Sequence, residues 1–114
     1  MTDKHWKHTE RMIAKILGGR RVPVTGRQRG DVPDIEHKWL SIEVKDRRSV
    51  PNWIEDAIQQ AEAAAYTGDW SNPLHRLPIA ILHHVGKKHS DDIVFMRLSD
   101  FVDWFVGDKP NGEN

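Results

Sequence analysis

The sequence predicts an α/β fold in which helices flank a mixed sheet of four or five strands. Apolar residues recur at helical spacing over 3–17 and 51–66, while shorter alternating or continuous apolar runs have the length of strands. The predicted element order is α-β-β-β-α-β-β-α. A chain of 114 residues is expected to form a single domain, over residues 1–106, with 107–114 as a disordered tail.

Both long helices have local boundary signals. The first places Trp6, Ile13 and Leu17 on one face and ends at Gly18-Gly19, as a glycine C-cap requires. The second begins at Pro51, since proline is tolerated in the first turn of a helix. Its narrow, alanine-rich face predicts close packing on a sheet.

The strands are predicted from shorter patterns, at about 20–25, 33–36, 39–45, 77–85 and 93–98. The run LPIAILHHV at 77–85 is apolar enough to predict a central, buried strand. A short final helix is expected over SDFVDWFV, capped by Ser99.

The composition excludes several classes of protein. The chain has no cysteine, so thiolate catalysis, disulfides and cysteine-rich zinc sites are absent, which favours a reducing cytoplasm. The polar N-terminal stretch lacks a signal-peptide core, and no apolar run reaches the length of a membrane span, so a cytoplasmic, non-membrane protein is expected. No P-loop or GxGxxG motif is present, and no organic cofactor is predicted.

Charge is unevenly distributed along a chain whose formal net charge is zero. Residues 1–50 hold 12 Lys or Arg against 7 Asp or Glu, whereas residues 51–114 hold 5 against 10. Basic clusters of this kind can neutralise nucleic-acid phosphates. A solvated basic face is the simpler alternative. The clustered arginines that could contact phosphates in this way are Arg27, Arg29, Arg47 and Arg48.

Residues 33–45 read as a hairpin with one apolar and one charged face. Because strand side chains alternate, Ser41, Glu43 and Lys45 share a face opposite to the apolar set Leu40, Ile42 and Val44.

A two-residue turn at His37-Lys38 would place Asp34 opposite Ser41, with Glu43 as its diagonal neighbour about 7–8 Å away. That separation suits one divalent cation held between the two carboxylates. The same parity places Asp31 on the other face, and Glu36 has no assigned role.

Magnesium takes oxygen ligands and keeps several waters, so Asp34 and Glu43 could bind it together with a substrate phosphate. The ion would polarise a scissile phosphate and lower the pKa of an attacking water. Lys45 could stabilise the developing negative charge. The alternative is a surface hairpin with a Glu–Lys pair that contributes little.

Two further polar residues fall where they could join this site. Glu10 lies on the apolar stripe of the first helix, where a carboxylate is costly unless it is paired or bound to a metal. Gln60 lies near the edge of the alanine-rich face of the second helix. Their alternatives are a boundary residue reaching outward and an ordinary polar flank.

Histidine and tryptophan are numerous but give weaker signals. His83-His84 adjoin on a predicted strand and point to opposite faces, while His5 and His8 lack an evident third ligand, so these are interpreted as structural or surface groups. Trp39 and Trp53 could stack on an exposed base or pack in a core or dimer interface.

The ordered set of residues resembles the PD-(D/E)xK nuclease superfamily. Pro33-Asp34 is followed by Glu43-Val44-Lys45, with Glu10 on the preceding helix and Gln60 on the following one. Within the superfamily, GDVPDIE and SIEVKDRR look most like the small archaeal- and phage-type Holliday junction resolvases. The resemblance covers about residues 6–84, with its specific part at 30–48.

The resemblance implies a restriction-endonuclease-like αβββαβ core and a metal-dependent DNA endonuclease that hydrolyses phosphodiesters at four-way junctions. By analogy, Asp34, Glu43 and Glu10 would hold Mg²⁺ or Mn²⁺. Lys45 would be the catalytic lysine and Gln60 the glutamine of the following helix. The four arginines would contact branched DNA, and a homodimer with two sites would match a two-fold symmetric junction.

The chain departs from the family in its near-neutral charge and its short spacing from Asp34 to Glu43. Two alternatives therefore stay open: a nuclease of the same fold acting on flaps, nicked duplex or single strands, and a non-catalytic DNA-binding protein with a nuclease fold.

Overall fold

The computed structural model describes residues 2–23, 32–65 and 76–107, which form a mixed α/β structure with three α-helices and two small antiparallel sheets. The predicted α/β class is thereby confirmed. Two compact units are present, one containing the described residues up to Arg48 and the other spanning Ser49–Gly107. The predicted tail beyond Gly107 lies outside the described residues.

In the first unit, helix α1 (Thr2–Leu17) ends in the predicted glycine cap. Gly18 has a positive φ of 78° and its amide donates to the carbonyl of Lys15 at 3.3 Å. The amide of Gly19 donates to the carbonyl of Ala14 at 2.8 Å. These two bonds satisfy carbonyls that a helix end otherwise leaves without partners, as in a Schellman motif.

The helix leads directly into a two-stranded sheet. Strand β1 (Arg20–Arg21) pairs antiparallel with β2 (Ile35–Glu36), and the Val22 amide extends the pairing by donating to the Asp34 carbonyl at 2.9 Å. A β-carbon on Gly19 would lie only 2.6 Å from the Glu36 carbonyl oxygen. Glycine is therefore needed where the chain leaves α1 and meets β2.

The hairpin that follows β2 has a longer turn than the sequence predicts. Ile35 forms an isolated antiparallel bridge with Ile42, a register two residues longer than a two-residue turn at His37-Lys38 would give. A shift by two preserves parity, so Ile42 and Val44 are half-buried while Glu43 is exposed, as expected. The predicted strand at 39–45 is reduced to this single bridge.

His37 explains the longer turn. Its Nδ1 accepts from the amides of Trp39 and Leu40 at 3.2 and 3.3 Å, so the ring organises the turn from inside. Since Nδ1 accepts, the proton is assigned to Nε2, which donates to the carbonyl of Leu17 at 2.8 Å. One side chain thus ties the turn to the end of α1.

In the second unit, helix α2 (Asn52–Ala65) follows Pro51, close to the predicted span. Ile58 and Ala65 are buried on its apolar face. The carbonyl of Pro51 accepts from the Ile54 amide at 3.1 Å, which gives the first turn its opening bond.

Strands β3 (Ala80–Leu82) and β4 (Ile93–Phe95) form the second antiparallel sheet. The predicted burial of this segment is wrong, because Ile81 and its partner Val94 are 60% and 54% exposed. An apolar run becomes a buried strand only where both sheet faces are covered. Here the Trp53 ring packs edge-on to Phe95, with ring centroids 6.0 Å apart.

The final helix α3 (Leu98–Phe101) continues as a π-helical turn over Val102–Val106. The predicted cap at Ser99 is wrong: Arg97 is the N-cap residue, and Ser99 lies inside the first turn. Gly107, with φ 76°, ends the segment by donating to the Val102 carbonyl at 2.9 Å. Among the described helices, none combines the length and apolarity that crossing a membrane requires.

Candidate active site

Two carboxylates, Glu10 and Asp34, are the buried charged side chains of the described residues, with 4% and 7% of their surface exposed. Removing a carboxylate from water is unfavourable unless hydrogen bonds or opposite charge compensate it. The partners of these two acids therefore define the site. Both acids belong to the set that the sequence predicts.

Glu10 is held by a cation from the neighbouring strand. Its Oε1 accepts from Arg21 Nε at 2.8 Å, and both side chains are largely removed from solvent. The Arg21 guanidinium also lies 5.5 Å from the centroid of the Trp6 ring, within the range of a cation–π interaction. The pair places opposite charge beside the Glu10 carboxylate on an otherwise apolar face of α1.

A second nitrogen of the same guanidinium, Nη2 of Arg21, is buried and has no hydrogen-bond acceptor within the described part of the chain. Buried donors are nearly always satisfied in folded proteins. An anionic oxygen placed beside the Glu10–Arg21 pair would complete it.

Asp34 connects three segments of the first unit. Its Oδ2 accepts from the Val44 amide at 2.6 Å, its own amide donates to the Ile42 carbonyl at 3.1 Å, and its carbonyl accepts from Val22. A carboxylate that accepts a backbone N–H forms a strong, charge-assisted bond. Asp34 is thereby fixed against the segment that carries the Glu-Val-Lys motif.

Glu43 and Lys45 share the outward face, as strand parity predicts. Lys45 Nζ lies 3.4 Å from Glu43 Oε2, and the two side chains are 64% and 60% exposed. An exposed ion pair of this kind adds little stability. Both side chains can therefore leave one another for a metal ion or a phosphate at small cost.

A cleft of about 230 Å³ brings part of the predicted set together. Glu10 and Lys45 lie on its walls together with Val44, the residue whose amide binds Asp34. Asp34 and Glu43 are not among the described lining residues. The lining consists of Trp6, Glu10, Val44, Lys45, Asp46 and Arg47.

Asp46 is a cleft residue that the sequence analysis missed. Its Oδ2 accepts from Thr9 Oγ1 at 3.1 Å and lies 3.5 Å from His5 Nε2. The available signal was parity, because Asp46 continues the inward series of Ile42 and Val44.

The structure says less about the other predicted site residues. Arg47 and Arg48 are exposed directly after the motif, and Gln60 is exposed on α2 in the second unit. Arg27 and Arg29 lie outside the described residues. The roles expected for these five positions, Gln60 and the four arginines, stay predictions.

The first unit carries oxygen donors of the kind that a hard divalent cation takes, but among the described residues the three predicted acids do not gather into one close group. Glu10, Asp34 and Glu43 offer carboxylate oxygens, the ligands that Mg²⁺ and Mn²⁺ prefer. Two of these acids are preorganised by burial and hydrogen bonds, whereas the exposed Glu43 would have to turn towards the ion.

Comparison of the chain with protein-family models, with curated proteins and with solved structures finds no match. Its own residues and geometry therefore carry the functional inference.

Proposed function

We propose that the chain is a metal-dependent DNA endonuclease of the PD-(D/E)xK type, built on a restriction-endonuclease-like core and acting as a Holliday junction resolvase. One observation carries the proposal: the buried carboxylates Glu10 and Asp34, from separate elements, converge on the segment Glu43-Val44-Lys45. An ordinary surface hairpin gives no reason to bury two acids at this place.

Asp34, Glu43 and Glu10 would hold the ion. When bound, Mg²⁺ or Mn²⁺ would polarise the scissile phosphate and lower the pKa of the attacking water. The backbone amide of Val44 fixes Asp34, and Arg21 fixes Glu10, so two ligands are oriented before the ion arrives.

Lys45 supplies positive charge from the cleft wall to the phosphate oxygens as negative charge develops on them. Arg47 lies on the same wall and would contact a neighbouring phosphate. Arg21 Nη2, which has no acceptor among the described residues, would become a further donor for an anionic oxygen if the cleft opens to expose it. These groups turn the cleft into a place where phosphate is held beside carboxylates.

A resolvase would act as a homodimer, because a four-way junction presents two symmetry-related strands to be cut. In this proposal Gln60 is the glutamine of the helix after the motif, and Arg27, Arg29 and Arg48 join Arg47 in binding the DNA backbone.

The activity test uses a labelled four-way junction, a plain duplex, a flap and a single strand, each incubated with Mg²⁺, Mn²⁺ or EDTA. Paired symmetric nicks in the junction alone, abolished by EDTA, are expected. Metal-dependent cutting of the flap or single strand instead would support the related nuclease. No metal-dependent cutting of any substrate would contradict the enzyme hypothesis.

The site test uses three variants. Asp34→Asn should abolish cutting and keep junction binding, since it removes a metal ligand but preserves an oxygen for the Val44 amide. Lys45→Ala should slow cutting by roughly 10²–10³-fold. Glu36→Gln is the matched control, because Glu36 is an exposed acid on β2 paired with Arg20, and its loss should leave cutting unchanged. A fully active Asp34→Asn protein would refute the ligand assignment.

A non-catalytic DNA-binding protein is the second candidate, favoured by the internal pairing of the acids. Glu10 is neutralised by Arg21, and Glu43 contacts Lys45. Such a protein would bind the junction equally well in EDTA, and Asp34→Asn would change neither binding nor the absence of cutting.

A further inference from the structure

The β3–β4 hairpin sets two polar side chains opposite one another at its loop end. Leu82 pairs with Ile93 at the end of the ladder, so His83 and Asp92 occupy the next facing positions. Their side chains are in contact, with His83 Nδ1 2.6 Å from Asp92 Oδ1. The register of a β-ladder, which is rigid compared with a loop, therefore positions this pair.

The loop between the strands returns a third side chain to the same point. A turn closed by the Lys87 amide and the His84 carbonyl at 3.0 Å, with Gly86 at φ 89°, reverses the chain. A 3₁₀ turn at His89–Asp91 follows, and the Asp92 amide donates to the His89 carbonyl at 3.0 Å. His89 Nδ1 then lies 3.1 Å from Asp92 Oδ2.

Two imidazoles consequently share one carboxylate. The ring centroids of His83 and His89 are 4.5 Å apart, and one ligand atom from each of the three residues lies within 4.8 Å of the others. For both rings to donate to Asp92, both Nδ1 atoms must carry a proton. A metal ion can take the place of those donor hydrogens and use one ligand atom from each of the three side chains.

We propose that His83, His89 and Asp92 bind a divalent transition metal of the zinc class. Zinc binds histidine nitrogen and carboxylate oxygen at about 2.0–2.2 Å in tetrahedral geometry, which places neighbouring ligand atoms roughly 3.3 Å apart. The contacts of 2.6 and 3.1 Å would open by about 0.7 and 0.2 Å, and ligand atoms that now lie farther apart, up to the 4.8 Å limit of the cluster, would close by side-chain rotation.

The site has three protein ligands among the described residues and an open side. Asp92 is 14% exposed, while the His89 side chain is 85% exposed and faces solvent. A water would complete a four-coordinate ion. Three ligands with one open position is the arrangement of zinc sites that accept an exchangeable ligand.

This site differs in chemistry from the carboxylate cleft of the first unit. Imidazole suits zinc, copper, nickel and iron, whereas Mg²⁺ prefers oxygen ligands only. The proposal is therefore independent of nuclease activity and survives if the chain cuts no DNA.

The experiment titrates metal-stripped protein with Zn²⁺ by calorimetry at neutral pH, in the presence of excess Mg²⁺. Wild type should bind one equivalent of Zn²⁺. In His89→Ala and Asp92→Asn the affinity for Zn²⁺ should fall about 100-fold or more, because even residues that only hydrogen-bond to metal ligands contribute about 10–100-fold. Binding should weaken in acid, because protons compete with the metal for the ligand atoms.

His84→Ala is the matched control, because His84 is the adjacent exposed histidine of the same loop and lies outside the cluster. The His84→Ala protein should still bind the one equivalent of Zn²⁺ that His89→Ala no longer binds. Zinc should also raise the midpoint of thermal unfolding of wild type and His84→Ala but not of His89→Ala. Because His89 is exposed, its loss leaves the metal-free midpoint unchanged, so misfolding is distinguished from lost binding.

Two results would overturn the proposal: equal loss of zinc in His84→Ala and His89→Ala, or no difference between wild type and either cluster variant. Cobalt substitution gives an independent check. A tetrahedral Co²⁺ complex with visible absorption should form in wild type and His84→Ala, and its absence from wild type would also contradict the site.

Discussion

Arg97 joins two acids of α2 to the start of α3. Its Nε donates to Glu62 Oε2 at 2.7 Å, and its terminal nitrogens bond Glu55. Glu55 and Glu62 are seven residues apart and so lie on one face of the helix, two turns from each other. The hydrogen bond from Arg97, followed by one from Gln59, lowers the pKa of Glu55, while the two acids raise the pKa of Arg97.

The sign of the pH effect follows from Glu55. Its pKa lies below the ordinary 4.5 in the folded state, so the stability it contributes is fully present above pH 4.5 and is lost as the pH falls through the folded pKa. We expect Arg97→Met to weaken the acid dependence of the free energy of unfolding, measured by urea titration between pH 6 and pH 3.

Arg11→Gln removes the same charge from an exposed position of α1 and should leave the acid dependence unchanged. If the free energy of unfolding depends on acid pH in the same way in wild type and Arg97→Met, Arg97 does not set the titration of Glu55.

At the residue scale, the sequence predicts features that depend on a single position. It does not predict which residues, distant in the chain, form the contacts. Glu10 was recognisable because a carboxylate on an apolar stripe needs a partner, and it is buried. The identity of that partner, Arg21, depends on how β1 leaves the Schellman motif. Asp46 was missed because its bonds run to Thr9 and His5, far away in the chain.

At the element scale, Gly18 and Gly19 have different tasks. Gly18 supplies the positive φ of the helix cap and has open space where a β-carbon would stand. Gly19 is in close approach, since a β-carbon there would lie 2.6 Å from the Glu36 carbonyl and 2.8 Å from Ile35 Cγ2. The first is a conformational requirement and the second a steric one.

We expect Gly19→Ala to lower the free energy of unfolding by about 1–3 kcal/mol, because backbone atoms must shift to admit the methyl group. Gly18→Asn should cost less than about 1 kcal/mol, since asparagine tolerates the left-handed region and meets no neighbour. Urea unfolding of both variants tests the ranking. A Gly19→Ala protein as stable as wild type would mean that β2 does not lie close enough to residue 19 to exclude a methyl group.

The elements that were predicted correctly have local causes. Helices α1 and α2 follow from apolar spacing with Gly18-Gly19 and Pro51 at their ends, and the structure has them nearly where predicted. The turn after β2 was predicted too short, because the bonds of the His37 ring require the Leu17 carbonyl, which the sequence does not place.

The His83, His89 and Asp92 cluster escaped prediction for a similar reason. His83 and His84 lie just after β3 rather than within a strand, and the ladder register brings His83 to Asp92 while a 3₁₀ turn returns His89. Register between strands is a non-local property. Periodicity within one strand does not determine it.

For the whole molecule, the change in charge along the chain falls close to the boundary between the two compact units. Residues up to 50 carry the basic excess, and the first unit ends at Arg48. Within it, Arg47 lines the cleft and Arg48 is exposed beside it. A neutral chain therefore has one positive unit, the part that we propose binds DNA, while the second unit carries the compensating acids.

The proposed DNA binding then has a measurable electrostatic signature. Each phosphate contact releases counterions, so the logarithm of the association constant falls with the logarithm of salt concentration by about 0.9 per contact. If Arg47 and Arg48 each contact a phosphate, replacing both with glutamine should reduce that slope by about 1.8. Binding is measured in EDTA with a labelled junction, so that cutting does not interfere.

The matched control replaces Lys87 and Lys88, two exposed cations of the acidic second unit, with glutamine. This variant has the same net charge as the arginine variant but leaves the basic unit intact, so its salt slope should equal that of wild type. Equal reductions in both variants would mean that net charge, rather than the surface around the cleft, governs binding. An unchanged slope in the arginine variant would remove Arg47 and Arg48 from the proposed DNA interface.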